Sequence, residues 1–299
     1  MNEQRLARLR RRMAETGTDL VVLGPSSHLV WLAGLRPHGD ERPVLLLVSG
    51  KGAAMLMPAL NADSQRPLTT VPFFTWADAD GPKAALADLL KSLTLPGKRL
   101  NVVLDETMRA DFALLVLDTL GDVERRFTET TVGALRAAKD EAEFAALKRN
   151  ALINDQVMMA AFEALRPGIT EDELAGLIRD GYKSRGARTE FISVCFGEDG
   201  AFPHHTSGSR ALRDSDAVLL DIGGRSEGYP SDMTRVGTFG AAPAEFDAVW
   251  SIVNRAVEAA LAAVKPGHPA KVVDQAARDV IVAAGYGDRF PHRTGHGLG

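Results

Sequence analysis

Short apolar runs alternate with helical patterns in the first part of the chain. Continuous runs typical of buried strands occupy residues 20–23, 44–48, 54–57 and 100–104. Apolar positions three or four residues apart predict helices over residues 3–16, 82–93 and 107–120. Strands and helices that alternate in this way predict an α/β domain, to which we assign residues 1–132.

A long helical stretch begins after this domain. Apolar residues spaced by three, four or seven positions predict its buried stripe: Phe144, Leu147, Ala151, Met158, Phe162 and Leu165. The stretch ends at Arg166-Pro-Gly168, a typical helix stop. We therefore assign residues 133–299 to a second domain.

The second domain contains a weak internal repeat. Leu165-Arg-Pro-Gly168 recurs as Val264-Lys-Pro-Gly267, an offset of 99 residues, and a helical pattern follows both segments. A duplicated half-domain would give pseudo-twofold symmetry around a central crevice. Coincidence is the alternative, because Pro-Gly commonly ends helices.

Charge and composition exclude several classes of protein. Lys and Arg number 35 against 39 Asp and Glu, so no global positive field favours nucleic acid as a partner. The arginines among residues 5–12 are interpreted as the solvated face of an amphipathic helix whose apolar face is Leu6, Leu9 and Met13. No apolar run is long enough to span a membrane. The single cysteine, Cys195, lies in an apolar run that predicts burial, and the absence of disulfide pairs favours the cytoplasm.

The segment 202–236 contains the most informative polar residues. Residues 218–220 form a predicted buried strand that ends at Asp221, and Gly223, Gly224 and Gly228 are expected to bend the chain back through Asp232. A hairpin symmetric about residues 226 and 227 would make the two aspartates direct cross-strand partners, with Cβ atoms about 4.5–5.5 Å apart. Two carboxylates that close require a shared proton or cations, and a metal fits better. Alternatively, both are turn residues, where Asp is common.

Histidines favour the metal interpretation. Four of the seven occur as the close pairs His204–His205 and His292–His296, each flanked by glycine or proline. Imidazole combined with carboxylates suits Mn, Fe, Co or Zn.

The combined motifs resemble the pita-bread metallopeptidases, in particular their proline-specific branch, Xaa-Pro dipeptidase (prolidase) and aminopeptidase P. The resemblance rests on Pro203-His204, Asp221, Gly228-Tyr-Pro-Ser-Asp232-Met-Thr-Arg235 and His292-x-x-x-His296-Gly-Leu-Gly. It implies a creatinase-like α/β N-terminal domain and an α+β pita-bread domain with pseudo-twofold symmetry.

The resemblance also implies roles for individual residues. Asp221, Asp232 and His296 would be ligands of two divalent metal ions (Mn, Co or Zn). His204 would contact the substrate and stabilise the tetrahedral intermediate, and His292 would be a further substrate-side histidine. The family uses two more glutamate ligands downstream of the position of His296. We therefore expect them beyond Gly299 in a longer chain, and without them we expect the chain as given to lack activity.

The resemblance finally implies a reaction and partners. We expect a dinuclear metallopeptidase that hydrolyses Xaa-Pro dipeptides, with a metal-activated hydroxide attacking the bond before proline. Release of an N-terminal residue by an aminopeptidase P is one alternative, and a non-catalytic pita-bread module that binds peptides or proteins is another. The expected partner is a small peptide with proline at its second position, and the expected assembly is a homodimer.

Overall fold

The computed structural model describes residues 1–97 and 99–299. It divides into two compact units, unit 1 (Met1–Lys139) and unit 2 (Asp140–Gly299). Within the described ranges, none of the helices combines the length and the apolar content needed to cross a bilayer.

Unit 1 is built around a mixed sheet with helices on its faces. The strands are β1 (Leu20–Leu23), β2 (Leu45–Ser49), β3 (Ala53–Pro58), β4 (Phe73–Trp76), β5 (Leu100–Leu104) and β6 (Val123–Arg126). The helices are α1 (Glu3–Thr16), α2 (Ser27–Ala33), α3 (Ala59–Gln65), α4 (Lys83–Ser92), α5 (Ala110–Leu120) and α6 (Val132–Ala137). The strand order is β4-β3-β2-β1-β5-β6, and β2 pairs antiparallel with both β1 and β3.

The predicted elements of unit 1 match the structure closely where strands are buried on both faces. All residues of β1 and β2 are buried, so each strand is a continuous apolar run. Helix α5 begins three residues later than predicted. The Asp105 carboxylate accepts hydrogen bonds from the Thr107 N–H (3.0 Å) and hydroxyl (2.7 Å), which keeps this segment in a turn.

Helix α1 is amphipathic as predicted, with Leu6, Leu9 and Met13 buried. Its arginines are less solvated than we expected, because several reach backbone carbonyl groups of the same unit. Arg10 Nε donates to Ser49 O (3.2 Å), and Arg12 Nε donates to Thr130 O (2.8 Å). The basic face of α1 therefore contributes to holding unit 1 together.

Unit 2 consists of helix pairs and an antiparallel sheet. The helices are α7 (Glu141–Glu163), α8 (Glu171–Ser184), α9 (Phe246–Ala263) and α10 (Ala270–Ala283). The strands are β7 (Arg188–Phe196), β8 (Ala217–Ser226), β9 (Tyr229–Pro230) and β10 (Met233–Thr238). The order is β10-β8-β7, with β9 paired to β8, and α7 and α8 pack over the sheet.

The buried stripe predicted for α7 is wrong in its N-terminal half. Phe144 is 62% exposed, and the inward positions there are the polar residues Glu143, Asn150 and Asn154. Apolar periodicity could not find this face, because its side chains form hydrogen bonds with the backbone and side chains of the β8–β9 segment.

The repeat offset seen in the sequence has a counterpart in the helices. The bounds of α10 are those of α8 shifted by the same offset, and each of these helices follows a longer one. Both have the same length of 14 residues. The helical part of the predicted repeat is therefore present in the structure.

Candidate metal and peptide site

The hairpin that carries the two aspartates turns at Glu227 and Gly228. Both residues have positive φ (51° and 90°), as a two-residue type I′ turn requires. Ser226 pairs with Tyr229, and Asp221 pairs with Thr234. The predicted direct pairing of Asp221 with Asp232 is therefore wrong, because the hairpin is symmetric about residues 227 and 228. Asp232 falls between β9 and β10.

The two-residue shift in register leaves the aspartates near each other. A shift by an even number of residues preserves the side of the sheet on which a side chain lies. Burial and the negative charge of Asp221 together raise the pKa of Asp232. Asp221 is oriented by Thr234, whose hydroxyl donates to Asp221 Oδ1 (2.7 Å).

The glycines before the turn have a different function from the one we expected. Gly223 and Gly224 do not bend the chain, since both lie within β8. The ring of Phe191 lies where a Cβ on Gly223 would project, and the ring of Tyr182 does the same at Gly224. These glycines therefore allow aromatic rings to pack directly against the strand that carries Asp221.

A buried polar network supports the hairpin from the α7 side. Asn154 Nδ2 donates to Ile222 O (3.4 Å), and Asn154 Oδ1 accepts from Tyr182 and from Ser231 Oγ (3.1 Å). Ser231 Oγ also accepts from Gly224 N–H (3.0 Å). The network fixes the residue that precedes Asp232. Two asparagines four residues apart in α7 were its only signal in the sequence.

His296 meets Asp232 at this site. Its Nε2 lies 3.3 Å from Asp232 Oδ2, with the two side chains 50% and 28% exposed. The preceding segment is tied to α10, since Asp274 accepts from the Thr294 N–H (2.7 Å) and Arg278 donates to His292 O (2.9 Å). A histidine from the segment after α10 and an aspartate from the hairpin therefore come together.

The other predicted site histidines are exposed. His204 lies in the loop after β7 with a φ of 59°, and among the residues that the structure describes its side chain makes no hydrogen bond or ion pair. His292 packs edge-on against Phe290, with ring centroids 5.1 Å apart. The predicted burial of Cys195 is confirmed, and burial raises the pKa of its thiol.

The chemistry of Asp221, Asp232 and His296 fits a divalent cation. Two carboxylates and one imidazole are ligands that Mn, Co and Zn accept. Burial and then repulsion by Asp221 raise the pKa of Asp232, and a cation would relieve the repulsion. The three residues are less compact than a closed site: their ligand atoms do not all lie within 4.8 Å of one another. His296 contacts Asp232, while Asp221 is held by Thr234.

Two other groups of potential ligand side chains, among the described residues, do have all their ligand atoms within 4.8 Å of one another. They are His28 with Asp105 and Glu106, and Glu171 with Asp199 and His205. In each group a guanidinium lies beside a ligand atom: Arg136 Nη1 is 2.9 Å from His28 Nδ1, and Arg210 Nε is 3.7 Å from Asp199 Oδ2. A positively charged arginine side chain already lies beside each group, so we assign a metal ion to neither group.

Comparison with known proteins gives matches over both units. Residues 145–299 match the family described as Metallopeptidase family M24, and residues 5–138 match the Creatinase/Prolidase N-terminal domain. The chain is 34% identical to the probable dipeptidase PepE of Mycobacterium bovis, over 99% of this chain and 79% of that protein.

Solved structures give the same result. The crystal structure of a prolidase from Thermococcus sibiricus matches with a TM-score of 0.91 and 31% identity, over 100% of this chain and 82% of that one. Dipeptidase PepE from Mycobacterium ulcerans matches with a TM-score of 0.92 and 33% identity, over 99% and 80%. The chain spans about four fifths of the length of each relative.

Proposed function

The chain belongs to metallopeptidase family M24, and we propose that it hydrolyses Xaa-Pro dipeptides at the bond before proline. It consists of a creatinase/prolidase N-terminal domain and an M24 pita-bread domain, so the predicted family and fold class are confirmed. The meeting of Asp232 with His296, close to Asp221, carries the proposal. Relatives named dipeptidase and prolidase support a short peptide as the substrate.

We propose Asp221, Asp232 and His296 as protein ligands of two divalent metal ions. When bound, such ions polarise a scissile carbonyl and lower the pKa of a water molecule. Thr234 holds Asp221 by its Oδ1, so Oδ2 would be the oxygen available to a metal ion. Manganese, cobalt and zinc all suit this combination of oxygen and nitrogen ligands.

We propose that His204 and His292 contact the substrate. An imidazole N–H of His204 would donate a hydrogen bond to the oxyanion that develops on the scissile carbonyl. Its exposed ring, with no side-chain partner among the described residues, is free to do so. His292 would contact the peptide from the segment held against α10.

Assays of a Xaa-Pro dipeptide and a Xaa-Pro-Yaa tripeptide with added Mn or Co, made on a chain that includes the two expected glutamate ligands, test the substrate proposal. We expect the dipeptide to be cleaved. Cleavage of the tripeptide alone would identify an aminopeptidase P instead. Metal binding by calorimetry without cleavage of either peptide would favour the non-catalytic module.

Variants test the residue roles. Asp221→Asn should abolish metal binding and activity while circular dichroism stays unchanged. Asp247→Asn is the matched control, because it removes the same charge at an exposed position of α9. His204→Ala should lower kcat about 100-fold and leave metal binding intact. Unchanged turnover in Asp221→Asn or in His204→Ala would contradict the role assigned to that residue.

Three further expectations remain predictions. They are two glutamate ligands downstream of Gly299 in a longer chain, a homodimer, and a cytoplasmic location. Light scattering of the purified protein measures the second directly.

A further inference from the structure

We propose that Glu171 is a positioning residue that holds the loop 202–208, and through it His204, beside the strand that carries Asp221. The part of this inference that concerns turnover rests on the proposed function. Glu171 itself lies in the core of unit 2, and its carboxylate reaches the loop through His205 and Gly208.

The Glu171 carboxylate is buried and receives several hydrogen bonds. Its side chain is 1% exposed. It accepts from Phe196 N–H (2.8 Å), Gly208 N–H (3.0 Å) and His205 Nε2 (2.9 Å). A buried carboxylate is tolerated only when donors satisfy it in this way. Glu171 therefore joins the end of β7 to both the middle and the end of the loop.

The loop has further connections to the edge of β7. Ser193 Oγ donates to His205 O (2.8 Å), and Val194 N–H donates to Ser207 Oγ (2.9 Å). Ser193 is also the β7 residue that pairs with Asp221 on β8. The carbonyl of His205 is thus held by Ser193, the β7 residue that lies directly opposite Asp221.

The conformation of His204 shows why such fixing is needed. Its φ of 59° is left-handed, a conformation that is unfavourable for a residue with a Cβ. Such a conformation persists only where the surroundings impose it. His205 supplies this constraint, because its N–H donates to Phe202 O (3.2 Å) while its ring and its carbonyl are held by Glu171 and Ser193. Loss of the Glu171 contacts would release the backbone at His205 that orients His204.

The test combines kinetics with hydrogen exchange, both on a chain that includes the two expected glutamate ligands. Glu171→Gln has the same shape but presents an N–H group toward donors. We expect kcat for a Xaa-Pro dipeptide to fall about 10- to 100-fold, with KM changed less than about 3-fold and metal content unchanged. Backbone amides over residues 194–208 should exchange at least about 10-fold faster.

A second pair of variants separates positioning from general loss of structure. His205→Ala should reproduce the effects of Glu171→Gln. His205→Gln should restore much of kcat and of the protection from exchange, because its amide N–H can donate to Glu171 as the imidazole does. This pair still decides the question if Glu171→Gln fails to fold.

Glu173→Gln is the matched control. Glu173 lies two residues further along α8 and is exposed, and its carboxylate accepts from Thr170 N–H (2.9 Å) rather than from the loop. It should behave as the wild type. The inference is overturned if exchange over 194–208 is the same in Glu171→Gln and Glu173→Gln, or if His205→Gln is as impaired as His205→Ala. If the wild type cleaves no Xaa-Pro dipeptide, the proposed function fails, and the exchange data alone then decide whether Glu171 holds the loop.

Discussion

Asn154 allows the polar network under the hairpin to be tested quantitatively. Its side chain bonds to three partners: the Ile222 carbonyl, the Ser231 hydroxyl and the Tyr182 hydroxyl. Replacement by alanine removes all three hydrogen bonds at once. It also leaves the Tyr182 hydroxyl without its acceptor, in a side chain that is completely buried.

The expected magnitude follows from these contacts. Three hydrogen bonds at about 1 kcal/mol each suggest that Asn154→Ala lowers the free energy of unfolding of unit 2 by about 3 kcal/mol. Tyr182→Phe removes one bond and should cost about 1 kcal/mol. The double variant should cost about 3 kcal/mol rather than the total of the two, because both single variants remove the same Asn154–Tyr182 hydrogen bond. The coupling energy is therefore about 1 kcal/mol.

Native-state hydrogen exchange measures this on peptides from α7 and β8, separately from unit 1. Asn254→Ala is the matched control, since Asn254 is exposed on α9 and its side chain bonds to the exposed Glu258 of the same helix. It should change the free energy by less than about 0.5 kcal/mol. Additive costs of Asn154→Ala and Tyr182→Phe would mean that the two side chains do not share a hydrogen bond.

Other features give further predictions. Burial and the nearby Arg136 lower the pKa of His28 below 6.5, while Asp105 and Glu106 act in the opposite direction. Below pH 6.5 the unfolded chain therefore takes up a proton that the folded chain resists. Unit 1 should lose stability as the pH falls from 7 to 5, by up to about 1.4 kcal/mol per pH unit. Urea unfolding followed by the fluorescence of its buried tryptophans should show this slope in the wild type, and a flatter one in His28→Gln. Gly228→Ala should destabilise unit 2 by about 1–2 kcal/mol, because its φ of 90° disfavours a Cβ, and thermal unfolding measures the loss. An unchanged midpoint would mean that the turn relaxes to another type.

The sequence predicts unit 1 better than the site because burial leaves a simple pattern there. Strands β1 and β5 have the predicted limits, since both are nearly continuous apolar runs. The hairpin register depends instead on which two residues form the turn. Three glycines near the turn made several registers possible, and only Gly228 proved to be a turn residue.

Residues that support the site were harder to predict than residues that form it. The family resemblance predicted Asp221, Asp232 and His296 as ligands, and the structure brings His296 to Asp232. Asn154 and Glu171 were missed, because a polar residue in a helix normally predicts exposure. Their burial depends on partners in other elements that are distant along the chain.

The positions of the three proposed ligands along the chain have a consequence for folding. Asp221 and Asp232 belong to one hairpin, while His296 follows only after helices α9 and α10. Because contacts close along the chain generally form before distant ones, we expect the carboxylate pair to assemble before His296 reaches it. A metal ion that needs all three residues would bind only after His296 has joined the hairpin, and it would stabilise that state by mass action. Metal uptake during refolding would therefore report a late step of assembly rather than the first.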